Sequence, residues 1–289
     1  MAKCAFIGLG VMGFPMAGHL QAAGHEVCVY NRHEDRARDW VKKYGGSMAP
    51  TPREAASGAE FVLSCVGNDD DLRAVTLGDD GLLAGMAEGT VFIDHTTVSA
   101  RITRELAEFA KKRGISMVDA PVSGGQAGAE NGALSVMCGG EPEAYARAAA
   151  IIAPYAKAVA HLGDSGAGQL TKMVNQICIA GLVQALAEGL HFAQCAGLDG
   201  AAVVDVIQHG AAGSWQMANR YETMLDDRFD FGFAVDWMRK DLGICLSEAQ
   251  QNGASLPITA LVDQFYGDVQ KMGGNRWDTS SLIRRLKVP

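Results

Sequence analysis

The chain has 289 residues, of which 48% are hydrophobic and 20% are charged, and its formal net charge is −8. That length can form two domains, each with its own hydrophobic core, and the composition is that of an ordinary globular protein. The acidic charge balance and the lack of a Lys/Arg-rich block argue against a nucleic-acid-binding surface, and no apolar run approaches the roughly 20 residues of a membrane span.

The cysteines and histidines favour neither a disulfide framework nor a metal site. The seven cysteines include no CxxC pair, and their odd number is typical of reduced thiols in a cytoplasmic protein. Several lie in apolar, strand-like runs, so we expect them in the hydrophobic core. His191 and Cys195 lie four residues apart, but two ligands alone are a weak metal signal. Because a strand-like run begins almost at the first residue, we expect no signal peptide.

Residues 3–9 predict a buried strand, and the glycine-rich stretch after it predicts a dinucleotide-binding turn rather than a merely structural one. Gly8, Gly10 and Gly13 form a G-x-G-x-x-G pattern between this strand and a predicted helix. The first glycine permits a tight turn, the second lets the backbone approach a pyrophosphate, and the third allows close helix–strand packing. The helix start offers N–H groups and a positive dipole end to phosphate. The predicted cofactor-binding residues here are Gly8, Leu9, Gly10, Val11, Met12 and Gly13.

The end of the second predicted strand, Glu26–Tyr30, bears on the choice between NAD(H) and NADP(H). An acidic residue at this position usually binds the adenosine ribose of NAD, but this chain has Asn31 and Arg32 there. The missing carboxylate removes a repulsion, and Arg32 can make a charge-assisted contact with a 2′-phosphate. We therefore predict NADP(H) as the preferred cofactor, with NAD(H) as the alternative if Arg32 only stacks on the adenine.

Five further strand-like runs alternate with helical segments up to residue 163. Their nearly continuous apolar composition predicts an α/β fold with a Rossmann-type, doubly wound, mainly parallel sheet. Ligands of such sheets bind beyond the carboxyl ends of the strands. The runs are Glu60–Val66, Thr90–Asp94, Ser116–Val122, Leu134–Cys138 and Ala158–Leu162.

The third of these runs is followed by Ser123, Gly124 and Gly125. A serine hydroxyl and unblocked glycine N–H groups can hold a carboxylate in a small nest. The alternative is a flexible turn without a ligand.

From residue 164 the pattern is helical, which predicts a dinucleotide-binding domain over 1–163 and an all-α domain over 164–289. The first helix runs from Gly166 to about Gly197, with apolar residues at the helical period. Its alanine and glycine content suits close packing between subunits. Lys172 and Asn175 lie three residues apart in it and therefore share a face. The alternative to a functional pair is a lysine that snorkels to solvent and an asparagine bonded to a nearby loop.

Four motifs together resemble the β-hydroxyacid dehydrogenase family, the group of 3-hydroxyisobutyrate dehydrogenase, tartronate semialdehyde reductase and glyoxylate/succinic semialdehyde reductase. They are Phe6–Met16, Asp119–Gly125, Gly166–Asn175 and Arg239–Leu242, and they follow the family's order over nearly the whole chain. The resemblance implies a Rossmann domain joined by a long helix to an all-helical domain. It also implies a homodimer or homotetramer built through the helical part, and hydride transfer between NADP(H) and a small carboxylate-bearing β-hydroxy acid or semialdehyde.

The resemblance implies a role for each matching residue. Lys172 matches the catalytic lysine, Asn175 the amide that orients the reacting oxygen, and Ser123–Gly125 the loop that holds the substrate carboxylate. Lys240 matches a lysine near the nicotinamide, and Asp241 is its neighbour at the substrate. Residues that match cofactor contacts at strand ends are Val66, Gly67 and Thr97.

The chain departs from many members of the family in two places. Gln176 stands where many have a second asparagine, which is similar to the tartronate semialdehyde reductases. Asn31 and Arg32 replace the acid of NAD-using members, which is similar to the NADPH-using semialdehyde reductases.

The chemistry of aldehyde reduction agrees with these roles. It needs hydride at the carbon and a proton for the developing alkoxide, and the ammonium of Lys172 can stabilise that charge and donate the proton. In the oxidation direction a neutral lysine would accept the proton, and we expect burial and a cationic neighbour such as Lys240 to lower the pKa of Lys172. Two rival functions are imine reduction on the same scaffold, whose enzymes usually lack this lysine, and a non-catalytic NADP-binding module.

Overall fold

In the computed structural model, which describes residues 1–287, the chain forms two units, Met1–Lys172 and a second that starts at Met173. The strands of the first unit are β1 (Lys3–Ile7), β2 (Glu26–Tyr30), β3 (Ser47–Met48), β4 (Phe61–Ser64), β5 (Val91–Asp94), β6 (Ser116–Asp119), β7 (Val122–Ser123), β8 (Leu134–Cys138) and β9 (Ala156–His161). Its helices are α1 (Gly13–Ala22), α2 (Glu34–Tyr44), α3 (Pro52–Ala56), α4 (Asp69–Thr76), α5 (Leu82–Gly85), α6 (Ala100–Lys111), α7 (Gly125–Glu130) and α8 (Pro142–Ile152). Helix α9 (Ala167–Cys195) begins in the first unit, and α10 (Gly200–Ile207), α11 (Trp215–Leu225), α12 (Val235–Asn252), α13 (Pro257–Lys271) and α14 (Leu282–Leu286) follow it.

Strands β1 to β6 form one parallel sheet in the order β3-β2-β1-β4-β5-β6. The chain moves outward in one direction from β1 to β3 and in the other from β4 to β6, so the strand order reverses between β1 and β4. This is the doubly wound Rossmann topology, and it confirms the predicted α/β fold. The crevice at such a reversal is where these sheets bind ligands.

Alternating residues of the strands pack into two cores on opposite faces of the sheet. Phe6 and Leu63 belong to the core on one face, which also contains Trp40 of α2. Ile7 and Val62, their neighbours along the strands, belong to the core on the other face. Both faces are therefore covered by helices, which is why the strands read as continuous apolar runs.

The single strand predicted at Ser116–Val122 is wrong, because the structure divides it into β6 and β7. Pro121 lies in the break and has no N–H to donate to a sheet. Beyond it, β7 pairs antiparallel with β8, and β8 pairs parallel with β9. The runs predicted at Leu134–Cys138 and Ala158–Leu162 thus belong to a second, mixed sheet rather than to the main parallel one.

The second unit is all-helical, as predicted, around a core to which α9 to α14 contribute. Val183 and Leu190 of α9 pack there with Met238 and Leu242 of α12. Arg239 in the same turn of α12 points to α13, where its Nε and Nη2 lie 3.0 and 3.1 Å from the two carboxylate oxygens of Asp263.

Helix α9 is observed close to its predicted bounds, but two expectations about it need correction. By length and composition alone it could cross a membrane, contrary to the expectation that no stretch approaches that size. The core helix of a water-soluble protein passes the same test, so this is weak evidence for a membrane span. Cys178 and Cys195, expected in the core, are exposed on this helix, whereas Cys4, Cys138 and Cys245 are buried.

Candidate active site

The loop between β1 and α1 has the conformation that the G-x-G-x-x-G pattern predicts. Gly8 has φ +96°, in the left-handed region that favours glycine, and a Cβ there would collide with the carbonyl oxygen of Cys65. A Cβ at Gly13 would collide with the carbonyl oxygen of Gly8. At Gly10, by contrast, no heavy atom of the described residues lies within 4 Å of an added Cβ. Gly10 therefore borders open space, which suits a loop that approaches a pyrophosphate.

Asn31 and Arg32 follow β2 and make different contacts. Oδ1 of Asn31 accepts the N–H of Leu9 at 2.9 Å, and its Nδ2 donates to the carbonyl of His33 at 3.0 Å, so Asn31 braces the glycine loop. The Arg32 side chain is 75% exposed, and its Nη1 lies 3.1 Å from Oδ1 of Asp71. Such an exposed ion pair contributes only about 0–1 kcal/mol, and a guanidinium has five N–H donors. Arg32 can therefore turn part of its guanidinium toward a phosphate.

A buried hydrogen-bond network joins the ends of β4 and β5. Oδ1 of Asp94 accepts from the hydroxyls of Ser64 and Thr96, each at 2.6 Å, and from the Thr96 N–H at 3.1 Å. The Thr96 hydroxyl accepts the N–H of Val66 at 3.1 Å. The side chain of Thr96 thus fixes the backbone at Val66, and Thr96 is the residue directly before Thr97. We predict that Val66 and Thr97 both contact the cofactor.

Burial makes Asp94 a source of pH-dependent stability. Its side chain is fully buried, and this burial raises the pKa of the carboxyl from 3.8 to about 7, against the opposing hydrogen bonds from Ser64 and Thr96. Because the folded state binds this proton more tightly than the unfolded chain, the contribution of Asp94 to stability is most favourable below pH 3.8. It falls as the pH rises from there to about 7 and changes no further above that value.

Asp94→Asn is expected to remove this pH dependence, since an amide cannot ionise. Relative to the wild type, the melting temperature of the variant should rise by about 5 °C between pH 5 and pH 8, which corresponds to a few kcal/mol in a chain of this size. Thermal unfolding followed by circular dichroism at both pH values measures the change. Asp39→Asn, at an exposed position of α2, is the matched control and should show no such difference. Parallel curves for Asp94→Asn and the wild type would contradict the assignment.

His95 is the other buried titratable group at the end of β5, and its contacts are structural. Nδ1 lies 2.6 Å from the carbonyl oxygen of Ala120 and Nε2 lies 2.8 Å from the Tyr155 hydroxyl. Burial lowers the pKa of His95 to about 4, so the ring is neutral at pH 7. A carbonyl can only accept, so Nδ1 donates to Ala120 and Nε2 accepts from Tyr155. His95 therefore holds the segment after β6 in place.

Lys172 lies near the start of α9, and its side chain is only 8% exposed. Asp119, at the end of β6, accepts the N–H of Gly166 through Oδ1 at 2.8 Å and that of Gln169 through Oδ2 at 2.9 Å. A carboxylate at this place satisfies amides that a helix start leaves without partners, and it complements the helix dipole. A Cβ at Gly168 would collide with the carbonyl oxygen of Met137 in β8. The helix start thus lies directly against the strands of the first unit.

Gln169 makes a second attachment of the same turn. Its fully buried side chain donates from Nε2 to the carbonyl oxygen of Thr96 at 2.7 Å, and its Oε1 accepts the N–H of Val98 at 3.1 Å. These two bonds are made on either side of Thr97. The helix turn that carries Lys172 is therefore joined directly to a strand end where we predict cofactor contacts.

The predicted carboxylate-holding turn has a glycine-dependent conformation. Ser123 pairs with Ser135 in the register of β7 and β8. Gly124 has φ +136° and Gly125 has φ +61°, values that residues with a side chain rarely adopt. The turn is therefore a defined corner between β7 and α7, and its binding of a substrate carboxylate stays a prediction.

In the second unit, side-chain contacts connect the predicted substrate residues of α9 and α12. Nδ2 of Asn175 donates to Oε1 of Gln176 at 2.7 Å, and Nε2 of Gln176 donates to Oδ2 of Asp241 at 2.6 Å. Nζ of Lys240 lies 3.1 Å from Oδ1 of the same carboxylate. Gln176 and Asp241 are both buried, so they serve to hold Asn175 and Lys240 rather than to meet solvent.

Four residues that support these positions were not predicted as part of a site: Thr96, Asp119, Gln169 and Gln176. A polar side chain near the lysine on an otherwise apolar helix was the available signal for Gln169 and Gln176. No comparable signal marked the bonds of Asp119, because its partners lie 47 and 50 residues away in the chain. Within residues 1–287 no three His, Cys, Asp or Glu side chains are grouped so that they could hold a metal ion.

Comparison with known proteins finds a matching family for each part of the chain. Residues 3–163 match the family described as the NAD binding domain of 6-phosphogluconate dehydrogenase. Residues 166–286 match the family described as NAD-binding of NADP-dependent 3-hydroxyisobutyrate dehydrogenase. Together the two matches cover nearly the whole chain.

Individual relatives are similar over their full length. The chain is 62% identical to an uncharacterized oxidoreductase of Shewanella frigidimarina, with 99% of each chain covered. It is 36% identical to 3-hydroxyisobutyrate dehydrogenase of Pseudomonas aeruginosa, with 92% of this chain and 91% of that one covered. The solved structure of 3-hydroxyisobutyrate dehydrogenase from Mycobacterium tuberculosis with L-serine has a TM-score of 0.89 at 30% identity and covers 100% of both chains.

Imine reductases are more distant. A structure from Pseudomonas sp. has a TM-score of 0.64 at 20% identity, which shows a shared fold alone. The glycine loop, the parallel sheet and the two family matches agree on a nicotinamide cofactor. The chain therefore belongs to the β-hydroxyacid dehydrogenase family and is an NAD(P)-dependent oxidoreductase that acts on a CH–OH group.

Proposed function

We propose that this enzyme interconverts small semialdehydes and β-hydroxy acids, with NADP(H) preferred over NAD(H). The substrates we propose are of the 3-hydroxyisobutyrate, tartronate semialdehyde, glyoxylate or succinic semialdehyde type, each with a carboxylate close to the reacting carbon. The observation that carries the proposal is the buried Lys172 at the start of α9. Asp119 accepts two N–H groups of this turn, and Gln169 of the same turn donates to the carbonyl of Thr96.

The cofactor preference is supported by the residues after β2. Residues Gly8–Gly13, Val66, Gly67 and Thr97 would hold the dinucleotide, and Arg32 would contact the 2′-phosphate that distinguishes NADP(H). When bound, the nicotinamide supplies or accepts the hydride. The side chain of Asn31 is engaged by the backbone of Leu9 and His33, so its role toward the cofactor is to hold the loop.

The remaining residues act on the substrate. Lys172 donates a proton to the developing alkoxide during reduction and accepts it during oxidation. The amide of Asn175, steadied by Gln176, orients the reacting oxygen. The N–H groups and hydroxyl at Ser123–Gly125 hold the carboxylate, and Lys240 contributes positive charge, fixed by Asp241. The buried Lys172 also distinguishes this proposal from imine reduction and from a non-catalytic module.

A substrate panel with both cofactors tests the proposal. Purified enzyme is mixed with glyoxylate, succinic semialdehyde, tartronate semialdehyde or methylmalonate semialdehyde, and oxidation of NADPH or NADH is followed at 340 nm. We expect turnover of at least one of these aldehydes, with kcat/KM about 10-fold higher for NADPH, the factor that one charge-assisted hydrogen bond supplies. Propionaldehyde, which lacks a carboxylate, is the matched control and should react poorly. Equal rates with propionaldehyde, or faster rates with NADH, would contradict the substrate class or the cofactor preference respectively.

We also propose that the enzyme is cytoplasmic, acts without a membrane or nucleic acid, and assembles as a homodimer or homotetramer through its helical unit. Support for assembly comes from α9, where Val174, Leu182 and Phe192 are 60%, 45% and 71% exposed. Large apolar side chains in such a row are typical of a surface that a partner covers. The same cover would bury the apolar stretch that gives α9 the composition of a membrane span.

A further inference from the structure

Gln169 is a buried polar residue with no direct part in the chemistry proposed above. It lies one helical turn before Lys172, and both polar atoms of its amide are used. Its side chain reaches back to the main chain of residues 96 and 98, which are 73 and 71 residues earlier in the sequence. Residues 96–98 are called the Thr96–Val98 segment below.

This segment is fixed from two directions. From the sheet, the Thr96 side chain and N–H bind Asp94, and the Thr96 hydroxyl accepts the N–H of Val66. From α9, the side chain of Gln169 donates to the carbonyl of Thr96 and accepts the N–H of Val98. Thr97, a predicted cofactor contact, is the one residue between these two bonds. The Gln169 amide therefore holds the main chain on both sides of Thr97.

We propose that Gln169 is a positioning residue that sets the distance between the Lys172 turn and the Thr96–Val98 segment. This rests on the proposed role of Lys172 as the proton donor. Proton delivery and hydride transfer must occur at adjacent atoms of one substrate, so a small displacement of the turn relative to the cofactor-contacting segment lowers the rate strongly. A buried amide with two directional bonds restricts that displacement better than apolar packing, because each unpaired backbone group would carry a desolvation cost.

The first test compares Gln169→Leu with the wild type. Leucine keeps most of the volume but removes both bonds, and we expect kcat to fall about 10- to 100-fold while KM for the substrate changes less than 3-fold. In the cofactor-free protein, amide hydrogen exchange of the Thr96–Val98 segment should accelerate at least 10-fold, because the Val98 N–H loses its acceptor. Gln184→Leu is the matched control: it removes another buried amide of α9, whose Nε2 bonds only Glu188 of the same helix. It should leave both readouts near their wild-type values.

The second test uses Gln169→Glu, whose side chain can replace both hydrogen bonds of the glutamine amide only when its carboxyl group is protonated. A neutral carboxyl group can accept the N–H of Val98 and donate its O–H to the carbonyl of Thr96, whereas an ionised one repels that carbonyl. Activity of Gln169→Glu relative to wild type should therefore rise as the pH falls, and the same ratio for Gln169→Leu should stay flat. Asp119 and Asp94 also titrate near this contact and Lys172 lies one turn away, and the ratio to wild type at each pH cancels their own effects.

The outcomes separate this inference from the proposed function. If Lys172→Ala abolishes turnover but Gln169→Leu keeps kcat within 3-fold of wild type, the positioning role is overturned and the proton-donor role stands. If Gln169→Leu loses activity only in proportion to its folded fraction by circular dichroism, and Gln169→Glu shows no rescue at low pH, Gln169 serves stability alone and the inference fails. If Lys172→Ala retains turnover, the proposed function itself is wrong.

Discussion

Lys172→Ala is expected to lower kcat by at least about 100-fold and by up to about 10⁴-fold, the range that a general acid contributes. The alkoxide that forms during reduction would lose both its proton donor and its nearby positive charge. The affinity for the nicotinamide cofactor should change less than about 3-fold, because the phosphates and ribose are proposed to be held by the residues after β1 and β2. Stopped-flow measurement of the reduction step and fluorescence titration of NADPH give the two quantities.

Because Lys172 is buried, an alanine could disturb packing as well as chemistry. Lys172→Met keeps the length of the side chain without the charge and should show the same loss of kcat. Thr171→Ala is the matched control on the neighbouring residue, whose hydroxyl donates only to the carbonyl of Ala167 in the same helix at 2.8 Å. Turnover of either lysine variant within 10-fold of wild type would remove Lys172 from the chemistry.

Arg32→Asp is expected to reverse the cofactor preference, with the NADPH/NADH ratio of kcat/KM falling by about 100-fold or more. The substitution removes a charge-assisted contact of about 1.5–3 kcal/mol and adds repulsion toward the 2′-phosphate. The new carboxylate can also accept a hydrogen bond from the ribose 2′-OH of NADH. Steady-state kinetics with both cofactors at fixed ionic strength measure the ratio. It should also fall with added salt in the wild type, since the Arg32 side chain is mostly exposed.

Arg38→Asp is the control for the effect of charge reversal alone. Arg38 lies on the exposed face of α2, where it pairs with Glu34. That variant carries the same net charge and should keep the wild-type ratio. Arg32→Ala should give an intermediate value, because it removes the attraction without adding repulsion. An unchanged ratio in both Arg32 variants would show that the 2′-phosphate is bound elsewhere or that the enzyme does not prefer NADP(H).

The parallel strands and the long helix could be predicted because their signals are local. Five of the six parallel strands are short apolar runs bounded by polar or glycine residues, whereas β3 (Ser47–Met48) has two exposed residues and was not predicted. Helix α9 repeats its apolar residues at the helical period over most of its length. The division at Pro121 could not be predicted in this way. Apolar residues continue across it, and what ends β6 is the pairing of β7 with β8, a contact between segments that are separate in sequence.

The bounds of helix α2 were not predicted, because the helix is mostly charged and buries only Ala37 and Trp40. The site shows the same limit. Motifs predicted Lys172 and the glycine loop as parts of the site, whereas the supporting bonds of Asp119, Gln169 and Thr96 depend on distances that only the folded chain supplies. The expected burial of Cys178 and Cys195 failed because residue type was used without knowing which face of α9 is covered.

The close approach of Gly168 to Met137 has a consequence for how this enzyme can be redesigned. Position 168 has no room for a side chain, so the main chain at the start of α9, which carries Lys172, packs directly against β8. This contact does not involve the helices that follow α9. Substitutions downstream of the first turns of α9 are therefore expected to leave the backbone at Lys172 in place. If Lys172 has the proposed role, a library that randomises position 168 should lose activity in most of its variants, because any added side chain there collides with the carbonyl oxygen of Met137 and displaces the start of α9.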